Sequence, residues 1–363
     1  MTDESDVLLE RRGRVGLVTL NKPRALNALS LSMIGTMEPV LREWARNDAV
    51  GLVVIQGAGD RAFCAGGDIR DLYEQPRDGD FGPRYYAAEY LLNVLVHHYP
   101  KPWVSLMDGV TMGGGVGVSV HGSHRVVTER TVFAMPETGI GLFPDIGAAW
   151  FLPRLAGETG MFMGLTGYRL RAADCVWTGI GDVHVPAGKL PALIDALAGL
   201  SAVSNAAIDA LLAGFAEDPG PAPLAAMRSA IDRCFSGRSI EEVLGRLGAE
   251  GSEWADSQAK ILATKSPTSL KITFRQLREG RCLSAFAEAM RMEYRMACGC
   301  WRGHDFFEGI RAVVIDKDNA PQWRPAELAG VRAADIEGYF APVDGEPDFA
   351  AVAAWAGGPG RGR

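Results

Sequence analysis

VGLVTLNKPRALNALSLSMIGTMEPVLREWARNDAVGLVVIQG, residues 15 to 57, holds a strand, a helix and a second strand in one passage. Its ends, VGLVTL (15 to 20) and VGLVVIQG (50 to 57), are short β-branched runs that close in turn residues. Between them Ser30 stands where a helix N-cap belongs, and Ile34, Met37, Leu41 and Trp44 recur at helical spacing. Strand, helix and strand in succession predict an α/β fold.

The alternation continues outward from this unit. RYYAAEYLLNVLVHHY (84 to 99) reads as a helix, KPWVSLMDG (101 to 109) as a strand, and another strand is expected around HRVV (124 to 127). After about residue 185 strand signals give way to Ala- and Leu-rich helical stretches, with EDPGPAP (217 to 223) as a linker or sharp turn. The helical character persists through EEVLGRLG (241 to 248) and AFAEAMRMEYRMACGC (285 to 300). The expected division is an α/β core over residues 1–200, a mainly helical region over 201–345 and a tail over 346–363. The ending AGGPGRGR has nothing to pack, so the tail is expected to be disordered.

Composition bounds the function. With 363 residues, 47% of them hydrophobic, the chain can bury a substantial core and reads as globular and soluble. No window approaches a spanning length without a charge or turn signal, so no membrane segment is expected. The acidic start MTDESDVLLE has neither the layout of a secretory signal nor that of an Arg-rich transit peptide, which predicts a cytoplasmic protein. Six cysteines in so long a chain lack the density of a secreted disulfide scaffold and are expected to be reduced thiols. A formal charge of −7 argues against nucleic acid as a partner but leaves room for a local basic pocket.

Two glycine clusters invite a site. MGGGVGVSVHG (112 to 122) matches neither the P-loop nor G-x-G-x-x-G. Gly113, Gly114 and Gly115 instead open a helix after a strand, which can leave backbone N–H groups aimed at an anion or oxyanion. Close packing of that helix on a sheet explains them equally well. Ser119 falls one residue short of a nucleophile elbow. DRAFCAGGDIRDL (60 to 72) also follows a strand, and its Asp68 is placed to cap the next helix. Cys64 has no His near it in sequence and is read as a packing residue. CGCWRGH (298 to 304) lacks a second zinc-spaced pair, and no H-E-x-x-H occurs, so no metal is expected.

FAMPETGIGLFPDIG (133 to 147) sets Glu137 and Asp145 among apolar residues, Gly and Pro. Solvated loop charges are the usual reading of two such acids. Met135, Ile140, Leu142 and Phe143 are too apolar for an exposed loop, and carboxylates held in such surroundings have perturbed proton affinity and commonly do chemistry.

CAGGDI, MGGGVG and PETGIGLFPDIG, in this order and spacing, resemble the enoyl-CoA hydratase/isomerase (crotonase) superfamily. NKPRALNALSLSMI, AEYLLN, SPTSLKITFRQL, MEYRMA, RGHDFFEGIRAVVIDKD and PQWRPAEL extend the likeness over about residues 10 to 330, toward its 3-hydroxyisobutyryl-CoA hydrolase branch. The resemblance implies a spiral of ββα turns with a helical C-terminal extension. It implies an acyl-CoA thioester as substrate, an oxyanion hole from the N–H groups of Ala65 and Gly114, and catalysis by Glu137 and Asp145. Glu89, Gly66 and Asp68 are expected to contact the substrate and Arg24 to pair with CoA phosphates, with no cofactor beyond the CoA of the substrate.

The common hydratases carry an acid three residues after the oxyanion glycine, where this chain has Gly117, and usually Gly where it has Asp145. That exchange implies hydrolysis of a 3-hydroxyacyl-CoA, 3-hydroxyisobutyryl-CoA or 3-hydroxypropionyl-CoA, as valine breakdown requires. The alternatives are an enoyl-CoA hydratase or isomerase and a non-catalytic acyl-CoA-binding module. Ala148 and Ala149 stand where the hydrolases would have Gly-Gly, so a narrower or shifted acyl pocket is expected. Members of the superfamily often assemble through their helical part, so a homo-oligomer is one expectation.

Overall fold

The computed structural model describes residues 5–357. Strands β1 (Val7–Arg12) and β2 (Val15–Leu20) lead into helix α1 (Leu31–Arg46), and the chain then winds in repeated turns. The first turn is β3 (Leu52–Gly57), β4 (Ala62–Cys64), α2 (Ile69–Glu74) and α3 (Phe81–His97). The second is β5 (Trp103–Met107), β6 (Val110–Met112) and α4 (Gly114–Gly117), and the third opens with β7 (His124–Val127) and β8 (Val132–Ala134). After α5 (Ala148–Phe151), α6 (Thr159–Thr166) and α7 (Ala172–Thr178), β9 (Val183–His184) ends the strand-bearing part.

Each turn gives its first strand to a large sheet and its second to a small one. The large sheet has the order β1-β2-β3-β5-β7-β9, and the small one β4-β6-β8. Among the strands of the described residues only the β1–β2 pair is antiparallel; Val15 pairs with Leu52, Val53 with Trp103 and Val104 with His124 in parallel register. This is the expected ββα spiral. The strands of the small sheet span three residues each, too short for any periodicity to show in sequence.

The apolar run of β3 follows from burial on both faces. Val53 and Ile55 point into the main core, whereas Leu52 and Val54 point into a second core made with Leu193, Ile194, Leu197, Ile208 and Leu212. In α1, Ser30 accepts the N–H of Met33, and Ile34, Met37, Leu41 and Trp44 are all buried, as the spacing predicts.

Helical elements alone follow β9 among the described residues: α8 (Leu190–Ala198), α9 (Asn205–Phe215), α10 (Pro223–Phe235), α11 (Ile240–Glu250), α12 (Glu253–Ala263), α13 (Pro267–Gly280), α14 (Phe286–Arg302), α15 (His304–Ile310), α16 (Ala333–Phe340) and α17 (Phe349–Ala356). Helix α9 lies beyond residue 200 yet packs with α8 on the large sheet, so the break in packing falls at the 217 to 223 linker instead. From α10 onward the helices share the main core with the spiral.

The expected disordered tail needs a correction. Within it, α17 buries Phe349 and Ala356 against α3 and α14, and Trp355 receives the guanidinium groups of Arg42 and Arg46 at 4.3 and 4.9 Å. Two apolar anchors and a cation–π pair give that segment something to pack on. Residues 358–363 lie outside the described residues. No described helix is long and apolar enough to cross a membrane.

Candidate active site

The first two turns of the spiral bring the glycine clusters face to face. Gly66, at φ +131°, lies so close to Gly113 that a Cβ on Gly113 would stand 3.0 Å from its Cα. A Cβ on Gly115 would strike the Cys64 carbonyl, and one on Gly114 would press into Glu89 Oε1. These positions therefore require glycine because another backbone or a carboxylate occupies the space. Packing and function coincide here.

Between the clusters lies a cavity of about 540 Å³, lined by Ala65, Gly66, Gly114, Glu89, Glu137 and Asp145 among others. Six of the eight expected site residues thus converge. Two do not line it. Asp68 accepts the N–H of Asp71 and the ammonium of Lys22, the latter at 2.7 Å, so its carboxylate is spent on capping α2 and on an ion pair. Arg24 sits exposed in a one-turn 3-10 helix, Pro23–Ala25. In this segment the cation tied to the glycine loop is Lys22.

The expected oxyanion donor on the first loop also needs correction. The Ala65 N–H donates to Leu26 O at 3.0 Å, because residues 26 to 29 run alongside the loop, with Leu29 N–H bonded to Gly66 O. The N–H groups of Gly67 and Gly114, by contrast, donate to nothing among the described residues. The Gly67 nitrogen lies 3.7 Å from where a Cβ on Gly113 would stand, so it faces the second loop. Gly114 begins α4, where helical geometry leaves N–H groups without partners.

Glu137 opens a 3-10 turn, Glu137–Ile140, directly after β8. Its Oε1 lies 3.8 Å from the Cβ position of Gly113, and its buried Oε2 has no hydrogen-bond partner among the described residues. Burial, and then the nearby Asp145, push its proton affinity well above the usual carboxylate range. Lys265, from the link between α12 and α13, approaches the same turn, its Nζ 3.3 Å from the Cβ position of Gly139, and favours the ionised form of Glu137. Glu89 is likewise buried and raised, first by burial and then by Asp145.

Asp145 is held by a more elaborate frame. Tyr90 donates to its Oδ2 at 2.7 Å, which opposes the burial that raises its pKa to about 6. The next residue, Ile146, has φ +54°, a left-handed conformation that strains a β-branched side chain. The surroundings hold it there. His121 bonds to Ile146 O at 2.7 Å, the Glu293 carboxylate accepts the N–H groups of Gly147 and Ala149 at 2.6 and 2.7 Å, and Gln276 donates to Pro144 O. Helices α13 and α14 thus aim the carboxylate from more than 130 residues away in sequence.

Ala148 and Ala149 do not line the cavity; they are buried at the start of α5, where the Ala149 N–H binds Glu293. The expectation of a narrower pocket is corrected accordingly. Cys64 is a packing residue, its thiol pushed up to about 12 by burial, and Ser119 donates to Gly115 O. Gly117 abuts Asn93, whose Nδ2 would lie 2.5 Å from a Cβ there. Sequence reading missed Gly67, Tyr90, Lys265, Gln276 and Glu293. For Glu293 a signal existed, an acid on the apolar side of α14 between buried Met292 and Tyr294, although it names no partner.

Comparison with known proteins identifies the family. Residues 15–340 match the family model described as enoyl-CoA hydratase/isomerase. The chain is 46% identical over 346 residues to mitochondrial 3-hydroxyisobutyryl-CoA hydrolase of Danio rerio, covering 94% of this chain and 90% of that protein. The human protein of the same name is 45% identical over 341 residues, 92% of this chain and 88% of the relative. A crystal structure titled as a carnitinyl-CoA dehydratase from Mycobacterium thermoresistibile superposes with a TM-score of 0.89 at 42% identity, covering 95% of this chain and 99% of that one. The expectation of a cytoplasmic location is overturned, since these curated relatives are named as mitochondrial, which points away from the cytoplasm. A compartment is read from an address signal by receptors, and the composition of a folded domain does not encode it.

Proposed function

This chain belongs to the enoyl-CoA hydratase/isomerase family, in its 3-hydroxyisobutyryl-CoA hydrolase branch, and from that premise we propose that it cleaves the thioester of 3-hydroxyisobutyryl-CoA to the free hydroxy acid and CoA. The observation that carries this reading is the convergence of Glu137 and Asp145 on one cavity that also holds two uncommitted backbone donors. 3-Hydroxypropionyl-CoA, one methyl smaller, fits the same recognition, and the free hydroxy acid is the product valine breakdown requires.

The chemistry follows from where charge develops. As the thioester carbonyl becomes tetrahedral its oxygen turns negative, and the N–H groups of Gly67 and Gly114 are the donors available to it. Loss of one such donor costs ~2.7 to 4 kcal/mol of transition-state stabilisation. Glu137, beside the Gly113 backbone, either attacks the carbonyl carbon to form a mixed anhydride and expel the CoA thiolate, or takes a proton from an attacking water. Either role needs an ionised carboxylate, which Lys265 favours against the cost of burial. Asp145 accepts a hydrogen bond from the 3-hydroxyl, and Glu89 lies over Gly114 against the acyl part.

The name of the solved Mycobacterium thermoresistibile relative, a dehydratase, raises a second reading, a hydratase or dehydratase. The crowding at Gly117 opposes it, because Asn93 occupies the space a second acid would need. A thiol-reagent assay of CoA release from 3-hydroxyisobutyryl-CoA, 3-hydroxypropionyl-CoA, acetyl-CoA and crotonyl-CoA tests the proposal. Preferred release from the two hydroxylated esters supports it; hydration of crotonyl-CoA without CoA release would sink it.

A further inference from the structure

The wall of the cavity formed by α3 carries a polar group with no part in the chemistry above. Tyr86, Glu89 and Tyr90 stand at helical spacing on α3, so they share one face of it. Tyr90 is committed to Asp145 at 2.7 Å. Tyr85, next in sequence to Tyr86, donates to Leu29 O at 2.9 Å. The Tyr86 hydroxyl is as deeply buried as these two, lines the cavity, and has no hydrogen-bond partner among the described residues. Folded proteins seldom leave such a group unmatched, and an exception at a cavity wall points to a ligand that completes it.

An acceptor would complete this hydroxyl in its donor role. Burial, and after it the charge of Asp145, raises the Tyr86 phenol well above its ordinary range, so the group keeps its proton and acts as a donor at any working pH. A substrate hydroxyl is both donor and acceptor. Asp145 satisfies only the donor half of a 3-hydroxyl, and the acceptor half still needs an O–H or N–H from the wall.

We propose that Tyr86 is a specificity-determining residue whose O–H donates to the 3-hydroxyl of the acyl group, so that phenol and Asp145 carboxylate together read that hydroxyl. This rests on the proposed hydrolase function. It predicts discrimination by exclusion as well as attraction, because an acyl group without the hydroxyl leaves a buried phenol and a buried carboxylate unmatched at once.

The test compares the parent enzyme and Tyr86→Phe on 3-hydroxyisobutyryl-CoA and isobutyryl-CoA, which differ only by that hydroxyl. Phe keeps the ring packing against Tyr85 and Tyr90, with centroids 5.8 Å away in each case, so the variant is expected to fold with an unchanged Tm. The kcat/KM for the hydroxylated ester should fall roughly three- to tenfold while that for isobutyryl-CoA stays within twofold. Equal loss on both esters, or a preference identical to the parent's, would overturn the role of Tyr86 alone. A parent enzyme that does not prefer the hydroxylated ester would overturn the function reading and this inference with it.

Discussion

Asn93 fills the space beside Gly117: a Cβ on that glycine would stand 2.5 Å from the Asn93 Nδ2. Both residues are fully buried. The consequence is that the acid missing from this position has no room to return. Gly117→Glu alone is expected to lower stability by ~1 to 3 kcal/mol through overpacking and to leave crotonyl-CoA hydration absent. Chemical denaturation and a hydration assay check the two parts. Appreciable hydratase activity in the single variant would show that Asn93 does not guard the position.

Glu137→Gln preserves shape and removes the charge. Turnover should fall at least a thousandfold, about the scale lost with a nucleophile or base. Affinity for a CoA ester should stay within tenfold, because the carboxylate acts on the carbonyl and not on the nucleotide. Single-turnover kinetics with isothermal titration separates these quantities, and a folded variant with near-parental turnover would remove Glu137 from the mechanism.

The hydrogen bond from Tyr90 holds the Asp145 carboxyl down against burial, which raises it to about 6. Tyr90→Phe removes the opposing influence, so the Asp145 pKa rises further. If ionised Asp145 is the active form, the acid limb of kcat/KM moves to higher pH, by about one unit for a bond worth about 1.4 kcal/mol. A pH profile of the variant that superimposes on the parent's would dissociate the limb from Asp145.

Glu293 accepts the N–H groups of Gly147 and Ala149, yet burial raises its pKa to about 8 from an ordinary 4.5. A carboxyl whose folded pKa is raised binds more protons folded than unfolded, so its contribution is fully present below about 4.5 and is lost as the pH rises through about 8. Denaturation curves from pH 5 to 8 should therefore show stability declining by its share in the parent and a flatter dependence in Glu293→Gln. The same variant turns an NH₂ group toward one of the two N–H donors, which should cost ~1 to 3 kcal/mol and slow turnover by loosening the Asp145 loop. Unchanged pH dependence would mean that Glu293 stays ionised throughout.

The sequence by itself determined the elements whose causes are local. Alternating side chains on β3 (Leu52–Gly57) had to point into two cores, which makes the strand a continuous apolar run, and Ser30 with the 3.6-residue spacing after it specified α1 (Leu31–Arg46). Glu137 and Asp145 betrayed themselves by charge among apolar neighbours within one loop. Tertiary structure decided what depends on contacts between distant segments. Ala65 and Gly67 look equally able to present an N–H until Leu26 comes alongside and takes the first. Arg24 and Lys22 are neighbouring cations, but only Lys22 reaches the Asp68 carboxylate. The strained turn at Ile146 exists because Glu293, from far along the chain, offsets its cost with two hydrogen bonds to the N–H groups of Gly147 and Ala149, and no local pattern in the sequence records a partner nearly 150 residues away.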